Sequence, residues 1–257
     1  MRRKFSVLML CSLLLMMTFG TVMAGNYDYS IIEYTGGITP ATVDGEWTTD
    51  DEWDDALTVP ISDNAIFRYY ADITIYSCEF LVEIFNDNTT DVEDYWQFCF
   101  DDGNYGGSAP QSHQYRVDIV GHTDVTIYTG DGSSWVESSS DPSDVALTWA
   151  DSISASPLNS TPHWILEFTF IKTTAMIPSA PPTGLRVAYY DANTTTLESW
   201  APDSDVNVPD EWGLIETYSG DAIPEGLTFG VMALLSSISL LAGSHYLHKR
   251  SKKRETV

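Results

Sequence analysis

Hydrophobic and polar residues alternate in short runs along the chain between Tyr27 and Tyr218. Clusters of Gly, Asp, Asn, Ser and Pro separate these runs, and the pattern is typical of β-strands joined by turns. Strands are predicted at Ser30–Tyr34, Ala65–Tyr70, Ser77–Phe85, Tyr95–Phe100, Gln114–Val120, Val125–Thr129, Trp135–Ser138, Val145–Ala150, His163–Ile171, Leu185–Tyr190 and Gly213–Glu216. No segment of the interval keeps a helical period, and Asp50–Ala56 is at most one or two helical turns. The spacing predicts an all-β fold, an antiparallel β-sandwich.

The N-terminal residues have the order of a secretory signal peptide. A basic start precedes the apolar run Phe5–Met17, and the small-residue site Val22–Ala24 follows it. We therefore expect residues 1–24 to be removed and the mature chain to begin at Gly25.

An apolar segment near the C terminus, Gly226–Leu247, contains no Asp, Glu, Lys or Arg. At about 1.5 Å per residue it can cross a hydrocarbon core of about 30 Å. The basic run Lys249–Arg254 follows directly, and a positive cluster beside a lone span stays in the cytoplasm. We expect a single-pass cell-membrane protein with an extracellular ectodomain at 25–218, a linker at 219–225, a C-terminal transmembrane helix at 226–248 and a basic cytoplasmic tail at 249–257.

Negative charge is concentrated between these two ends. Eight of the 12 Lys and Arg lie in the predicted signal peptide and tail, whereas 36 of the 37 Asp and Glu lie in residues 25–225, which leaves this stretch with a formal charge of −32. Its four basic residues are Arg68, Arg116, Lys172 and Arg186. Such a surface repels phosphate backbones, so nucleic-acid binding is excluded. The acidity fits a saline habitat, divalent-cation binding or simple solubility.

Two cysteines remain after signal removal, Cys78 and Cys99. An oxidising compartment would allow them to pair. Cys78 is in phase with Phe80 along its strand, but Cys99 is out of phase with Phe98, so we expect the two thiols on opposite sides of their strands. The alternation therefore argues against a disulfide.

Three N-glycosylation sequons lie in polar, turn-like stretches, at Asn88, Asn159 and Asn193. A glycan fits at such turns, and the chain is expected to be exported. We predict a glycoprotein with at least one of these sites in use.

Several segments of the ectodomain follow one another in the order of a known family. The segments are Val43–Trp47, Asp50–Ala56, Phe80–Asp87, Trp96–Asp101, Gln114–Val117, Trp164–Phe168 and Pro209–Gly213. Together they resemble family 9 carbohydrate-binding modules and the related DOMON-like sandwiches, over roughly Val43 to Glu216. The resemblance implies a jelly-roll-like β-sandwich with bound calcium that holds sugar chain ends.

The resemblance also implies a set of ligand-binding residues. In the family a sugar lies between two tryptophan faces, where its C–H groups stack on the indoles and planar polar groups fix its hydroxyls. Gln97 stands where the strand usually has Glu, and Arg116 matches the family's arginine. Asp87–Glu93 contains no Trp, so Trp96 would have to supply one platform, with Trp200 as the second. For Arg116 a structural ion pair is the competing interpretation.

For calcium, the acidic turns offer two sources of oxygen ligands. Asp44 and Glu46 lie in one turn, and Asp101 and Asp102 lie in another. A solvated acidic face is the alternative. The run that begins at Asp203 is not an EF-hand, because its sixth and twelfth positions are neither Gly nor Glu.

The sequence contains no motif of an activated catalytic site, neither His-Glu-x-x-His, nor Gly-x-Ser-x-Gly, nor a Gly-rich phosphate loop. We therefore expect a noncatalytic extracellular module that binds saccharide and is stabilised by calcium. The alternatives are a structural or partner-binding component of the cell envelope, associated with a surface layer, and a haem-binding DOMON-type redox protein that uses Met176 and His163. Ile223–Gly226 resembles archaeal C-terminal sorting signals of the Pro-Glu-Phe kind, with Gly226 in place of Phe.

Overall fold

The computed structural model describes residues 29–35, 41–72, 77–139, 147–171 and 183–219. The chain divides into two compact units, Met1–Thr217 and Tyr218–Val257, and the second lies almost entirely outside the described residues. The predicted signal peptide, transmembrane helix and basic tail also lie outside them, as does the predicted linker apart from Ser219. Within the described ranges, no helix has the length and apolar character needed to cross a membrane.

Short strands make up most of the described structure. Their bounds are β1 Ser30–Thr35, β2 Leu57–Pro60, β3 Ala65–Asp72, β4 Ser77–Ile84, β5 Tyr95–Asp102, β6 Gln114–Val120, β7 Asp124–Gly130, β8 Trp135–Glu137, β9 Leu147–Ser154, β10 His163–Ile171, β11 Thr183–Asp191, β12 Thr196–Trp200 and β13 Gly213–Ser219. A single helical turn, α1, covers Asp50–Trp53, and a 3-10 turn covers Pro209–Glu211. The predicted strands are present, and β2 and β12 are additional.

The strands form two sheets that face each other. The eight-stranded sheet has the order β1-β13-β11-β5-β6-β7-β8, with β12 paired to β11. The five-stranded sheet has the order β2-β3-β4-β10-β9. Pairing is antiparallel on both sides of the central strands β5 and β10. The structure thus confirms the predicted all-β sandwich.

Strand alternation builds the core between the sheets. In β10, Leu166 and Phe168 point inward, and Phe168 stacks on Phe80 of β4 with ring centroids 4.7 Å apart. Phe98 of β5 meets Phe168 from the opposite sheet at 4.0 Å. Since successive side chains of a strand point to opposite faces, the residues that alternate with these core residues along each strand lie on the outer surfaces of the sandwich.

An N-terminal segment, residues 41–56, packs with the outer face of the five-stranded sheet. Its Trp53 forms a second core cluster with Ile165 of β10. The buried carboxylate of Glu167 accepts hydrogen bonds from the backbone N–H groups of Asp44 and Gly45, at 2.9 and 3.0 Å, and from Trp53 Nε1 at 2.7 Å. Gly45 has φ +81°, and a Cβ there would lie 2.8 Å from the Asp151 backbone, so only glycine fits. Glu167 therefore anchors this segment.

Neither cysteine forms a disulfide, as the alternation predicts. Cys78 belongs to the core between the sheets. Cys99 is fully buried on the other face of β5. The two thiols therefore lie on different sides of the eight-stranded sheet.

Candidate functional site

A row of polar side chains crosses the outer face of the eight-stranded sheet. Trp96 and Phe98 of β5 belong to the core, so Gln97 between them points outward. Gln97 is paired in register with Asp118 of β6 and with Ala188 of β11. Two residues after Gln97 in β5, Cys99 is paired with Arg116 of β6 and with Arg186 of β11. The row is thus built by the alternation of three neighbouring strands.

Hydrogen bonds join the members of this row into one series, which we call the polar row (Arg186, Gln97, Asp118 and Arg116). Arg186 Nη1 donates to Gln97 Oε1 at 2.6 Å, and Gln97 Nε2 donates to Asp118 Oδ1 at 3.0 Å. Arg116 Nη2 lies 2.9 Å from the second oxygen, Asp118 Oδ2. At the other end, Arg186 Nε donates to the Ser204 carbonyl at 3.0 Å. The geometry of Gln97 is therefore fixed from both sides.

Burial and charge set the electrostatics of the polar row. Arg186 is 2% exposed, whereas the Arg116 side chain is 16% exposed. Burial raises the pKa of the Asp118 carboxyl, while the charge of Arg116 and the hydrogen bond from Gln97 oppose that shift. Two arginines and one aspartate leave the row with one net positive charge when ionised, on a strongly acidic domain. Arg116 is thus the cation of the row that reaches solvent.

Half-buried aromatic rings lie beside two members of the polar row, Arg116 and Gln97. The Arg116 guanidinium lies over the Tyr128 ring of β7, 3.9 Å from its centroid, and 5.6 Å from that of Trp135. Two residues from Gln97 along β5, Tyr95 stacks on Tyr190 of β11 with centroids 5.2 Å apart and planes 16° apart. Tyr95 and Tyr128 are two strands apart and offset by four residues, which places their backbones about 16 Å apart on a regular sheet. The face therefore combines aromatic surfaces with fixed polar groups.

The structure brings two of the four predicted ligand residues together. Gln97 and Arg116 meet through Asp118. Arg116 also makes the ion pair that was the competing interpretation for this residue.

The two tryptophans expected as stacking platforms belong instead to the core, each 4% exposed. Trp200 pairs with Val187 of β11 and meets Phe67 edge-on with ring centroids 5.3 Å apart. Trp96 donates its indole N–H to Asp151 at 3.2 Å. The platform roles expected for Trp96 and Trp200 therefore do not fit the structure, because both rings point between the sheets.

The predicted calcium ligands are spread over different parts of the sandwich. Asp44 and Glu46 are exposed in the N-terminal segment, where Asp44 Oδ1 accepts the backbone N–H of Glu46 at 3.0 Å. Asp101 is fully buried near the end of β5. The Asp102 side chain lies outside the described residues.

The structure gathers a different set of carboxylates at one end of the sandwich. One oxygen each of Asp87, Asp94 and Asp191 lies within 4.8 Å of the others, and all three residues are buried. We call this set the aspartate cluster. Burial raises the pKa of the Asp87 carboxyl, the N–H and hydroxyl of Thr89 oppose the shift, and the charges of Asp191 and Asp94 add to it. Three buried carboxylates this close repel one another unless a cation or protons compensate.

A cavity borders the aspartate cluster. His122 stacks on Trp164 in its wall, with ring centroids 3.6 Å apart. His122 Nδ1 lies 2.7 Å from an oxygen of Asp151, and Nε2 lies 3.5 Å from one of Asp94. Burial lowers the pKa of His122, but the hydrogen bonds and charges of Asp151 and Asp94 outweigh it and hold the pKa above the usual value.

The remaining predicted residues are the three glycosylation sites and the two candidate haem ligands. Asn193 is exposed in a turn, Asn88 is exposed in the loop between β4 and β5, and Asn159 is half-buried. His163 is fully buried, with Nε2 3.0 Å from Glu83 and Nδ1 2.8 Å from the Thr161 carbonyl, so that neither ring nitrogen faces a ligand space. Met176 lies outside the described residues.

Arg186, Asp118 and the aspartate cluster were not predicted as functional residues from the sequence. Asp118 stands two residues after Arg116, so strand alternation places both on one face. The same alternation in β11 puts Arg186 opposite the core residues Leu185 and Val187. Asp87 and Asp94 lie in the loop between β4 and β5, whereas Asp191 ends β11 about a hundred residues later, so their spacing carries no signal.

The fold of this chain is similar to that of a solved carbohydrate-binding module. No protein-family model matches the sequence, and no curated protein matches it. A family 9 carbohydrate-binding module from Caldicellulosiruptor kristjanssonii, solved in complex with glucose, is similar with a TM-score of 0.51 and 14% identity over 76% of this chain and 99% of that one. A family 9 module from the same organism in complex with cellotriose aligns with a TM-score of 0.49 and 15% identity, over 76% of this chain and 98% of that one. The chain thus has a fold like that of family 9 carbohydrate-binding modules, as the sequence resemblance predicts.

Proposed function

We propose that the sandwich is a noncatalytic saccharide-binding module and that the polar row, with the aromatic rings beside it, is its binding face. The hydrogen-bonded series from Arg186 through Gln97 and Asp118 to Arg116 carries this proposal. The similar family 9 module was solved in complex with glucose, which supports the ligand class.

The chemistry of the face suits sugars. A pyranose offers flat C–H surfaces that pack on aromatic rings and hydroxyls that need fixed hydrogen-bond partners. Tyr128 and Tyr95 provide aromatic surface about 16 Å apart on a regular sheet. Arg116, which is partly exposed and held by Asp118, provides oriented N–H donors beside the Tyr128 ring. A sugar chain that covers both Tyr95 and Tyr128 would also contact the polar row.

A glycan screen on soluble ectodomain, residues 25–221, tests this proposal. Retained glycans are then titrated against Arg116→Ala and Tyr128→Ala, each of which we expect to weaken binding at least tenfold while the chain stays folded. Ile153→Ala is the matched control, because Ile153 is an exposed residue on an edge strand of the other sheet. If no glycan is retained, or if both variants bind as the wild type does, the proposal fails and a partner-binding envelope element takes its place.

Calcium stabilisation is a further part of the proposed function. The fold family implies a calcium ion, and the aspartate cluster supplies the donor type that calcium prefers, since Asp87, Asp94 and Asp191 each direct a carboxylate oxygen to one place. A bound cation would offset the mutual repulsion of these carboxylates. We expect chelator to lower the melting temperature of the wild type and to leave that of Asp94→Asn unchanged. Equal chelator effects in both proteins would exclude this location.

We further propose that the module is displayed outside a cell on a C-terminal membrane anchor. The support is the sequence alone: the signal-like start, the apolar segment 226–248 and the basic tail 249–257. Protease added to intact cells should then degrade the ectodomain and spare the tail. An ectodomain that survives until the cells are lysed would contradict this location.

A further inference from the structure

A second row of side chains crosses the outer face of the eight-stranded sheet beside the polar row. It consists of Leu197 of β12, Tyr190 of β11, Tyr95 of β5 and Val120 of β6, which are paired in register from strand to strand. We call this set the apolar row. Leu197 is 52% exposed, and the other three residues are half-buried. Four neighbouring strands thus present apolar or aromatic side chains to solvent at one level of the sheet.

The apolar row lies next to fixed polar groups. Tyr95 precedes Gln97 by two residues in β5, so both side chains are on the same face of the sheet. Gln97 is held by hydrogen bonds with Arg186 and Asp118. Single exposed apolar side chains are common on protein surfaces, whereas a contiguous set beside oriented polar groups is typical of a binding surface. A sugar chain matches both parts, because its C–H faces pack on rings and its hydroxyls need polar partners.

The combined surface is much longer than one sugar. It begins at Leu197 and continues through the apolar row and past Arg116 to Tyr128 of β7, whose ring lies under the Arg116 guanidinium. Leu197 and Tyr128 are four strands and four residues apart, which places their backbones about 23 Å apart on a regular sheet. One pyranose ring covers about one aromatic side chain. A ligand that contacts the whole surface must therefore be a chain of several sugar units.

Both ends of this surface are open to solvent. At one end Leu197 is more than half exposed on β12, which pairs with β11. At the other end Glu137 of β8, the register partner of Tyr128, is exposed. A site for a chain end needs groups that close around the terminal sugar, whereas an open surface lets the chain continue in both directions. The face thus differs from the chain-end site that the family resemblance implies.

The charge of the domain selects against acidic sugars. Residues 25–225 carry a formal charge of −32. Arg116, the cation of the polar row that reaches solvent, is already paired with Asp118 at 2.9 Å. A polyanionic chain would therefore be repelled by the domain and would find this cation compensated.

We propose that the saccharide face binds an internal stretch of a linear, uncharged polysaccharide, several sugar units long, which runs obliquely across the strands from the apolar row to Tyr128. This inference rests on the proposed saccharide-binding function and adds the ligand class to it. The face recognises the interior of a chain and not its end.

Titration of the purified full-length protein with oligosaccharides of increasing length tests this inference. The probes are the cello-, manno- and xylo-oligosaccharide series, from monomer to hexamer, in a detergent without a sugar headgroup. We expect the affinity for at least one series to rise at least tenfold from monomer to hexamer, because longer chains reach more of the surface. Borohydride reduction of the terminal sugar should change the affinity for that hexamer less than twofold. Oligogalacturonates of equal length should bind at least tenfold more weakly.

A pair of leucine variants locates the chain on the apolar row. Leu197→Ala should weaken binding of the best hexamer at least threefold. Leu158→Ala is the matched control, because Leu158 is also 52% exposed but lies between β9 and β10 of the other sheet, and it should bind within twofold of the wild type. Both substitutions remove the same side chain from an exposed position, so both variants should melt with the wild type.

Several outcomes would overturn the inference and leave the proposed function standing. A monomer that binds as tightly as the hexamer, or a hexamer that loses affinity on reduction, would assign a chain-end site. Oligogalacturonates that bind more tightly than the uncharged hexamers would assign an acidic ligand, and a Leu197→Ala variant with wild-type affinity would place the chain elsewhere. Binding to none of the three uncharged series would also overturn the inference, whereas the proposed function fails only if the whole glycan screen is negative or if Arg116→Ala and Tyr128→Ala both bind as the wild type does.

Discussion

Replacing Arg186 with methionine tests whether the polar row is held together by its buried end. Methionine fills most of the volume but cannot donate to Gln97 Oε1 or to the Ser204 carbonyl, which accept at 2.6 and 3.0 Å. Both residues are buried, and each buried acceptor left without a donor costs about 1–3 kcal/mol. Loss of one charge beside the buried Asp118 adds to this. We therefore expect Arg186→Met to lower the free energy of unfolding by about 3 kcal/mol.

Urea unfolding followed by tryptophan fluorescence measures this change. With a slope of about 2 kcal/mol per molar urea, a loss of about 3 kcal/mol lowers the midpoint by about 1.5 M. Arg186→Lys keeps the charge but not the planar fork of donors, so its loss should fall between those of the wild type and the methionine variant. Val136→Ala, at an exposed position of β8, should stay within about 0.5 kcal/mol of the wild type. A loss below about 1 kcal/mol for Arg186→Met would refute the reasoning, since buried acceptors would then be satisfied without Arg186.

Three further predictions concern buried titratable groups. Burial raises the pKa of Glu167 to about 7, and the hydrogen bonds from the N–H groups of Asp44, Trp53 and Gly45 oppose this shift. The folded state therefore binds this proton more tightly than the unfolded state, so stability falls as pH rises from about 4.5 to about 7. In melting curves measured against pH, Glu167→Gln should abolish that part of the slope. The pKa of His122 is raised, so the stabilisation that His122 contributes is complete below about pH 6.5 and is lost as pH rises through the folded-state pKa. The difference in melting temperature between wild type and His122→Phe should therefore shrink with rising pH. A constant difference would contradict the pairing of His122 with Asp151. Burial raises the pKa of Cys99 to about 12, so a thiol reagent should label it only after denaturation.

The fold was largely predictable because strand alternation is a local signal. β10 illustrates this, since Leu166 and Phe168 alternate with Ile165 and Glu167 on the opposite face. Two strands escaped prediction for local reasons. β2 is four residues long and ends in Pro60, and β12 begins in a threonine-rich turn that carries no hydrophobic alternation.

The site was predictable only in part, because it depends on contacts between distant strands. Gln97 and Arg116 were found through a family resemblance, but the partner that joins them, Asp118, follows from register. Trp200 was expected to be a stacking platform because β12 was not recognised, and its ring lies in the core, where β12 pairs Trp200 with Val187 of β11. The aspartate cluster depends on how the β4–β5 loop meets the end of β11, which local sequence does not encode.

The central claim is that sugars bind across the outer face of β5, β6 and β7. Backbone amide NMR of the ectodomain, titrated with glucose and with the best ligand from a glycan screen, tests this directly. We expect shift changes to concentrate around Gln97, Arg116, Tyr128 and Tyr95 and to vanish in Arg116→Ala. Saturating ligand that leaves these amides unmoved, or that shifts only the N-terminal segment and the five-stranded sheet, would contradict it.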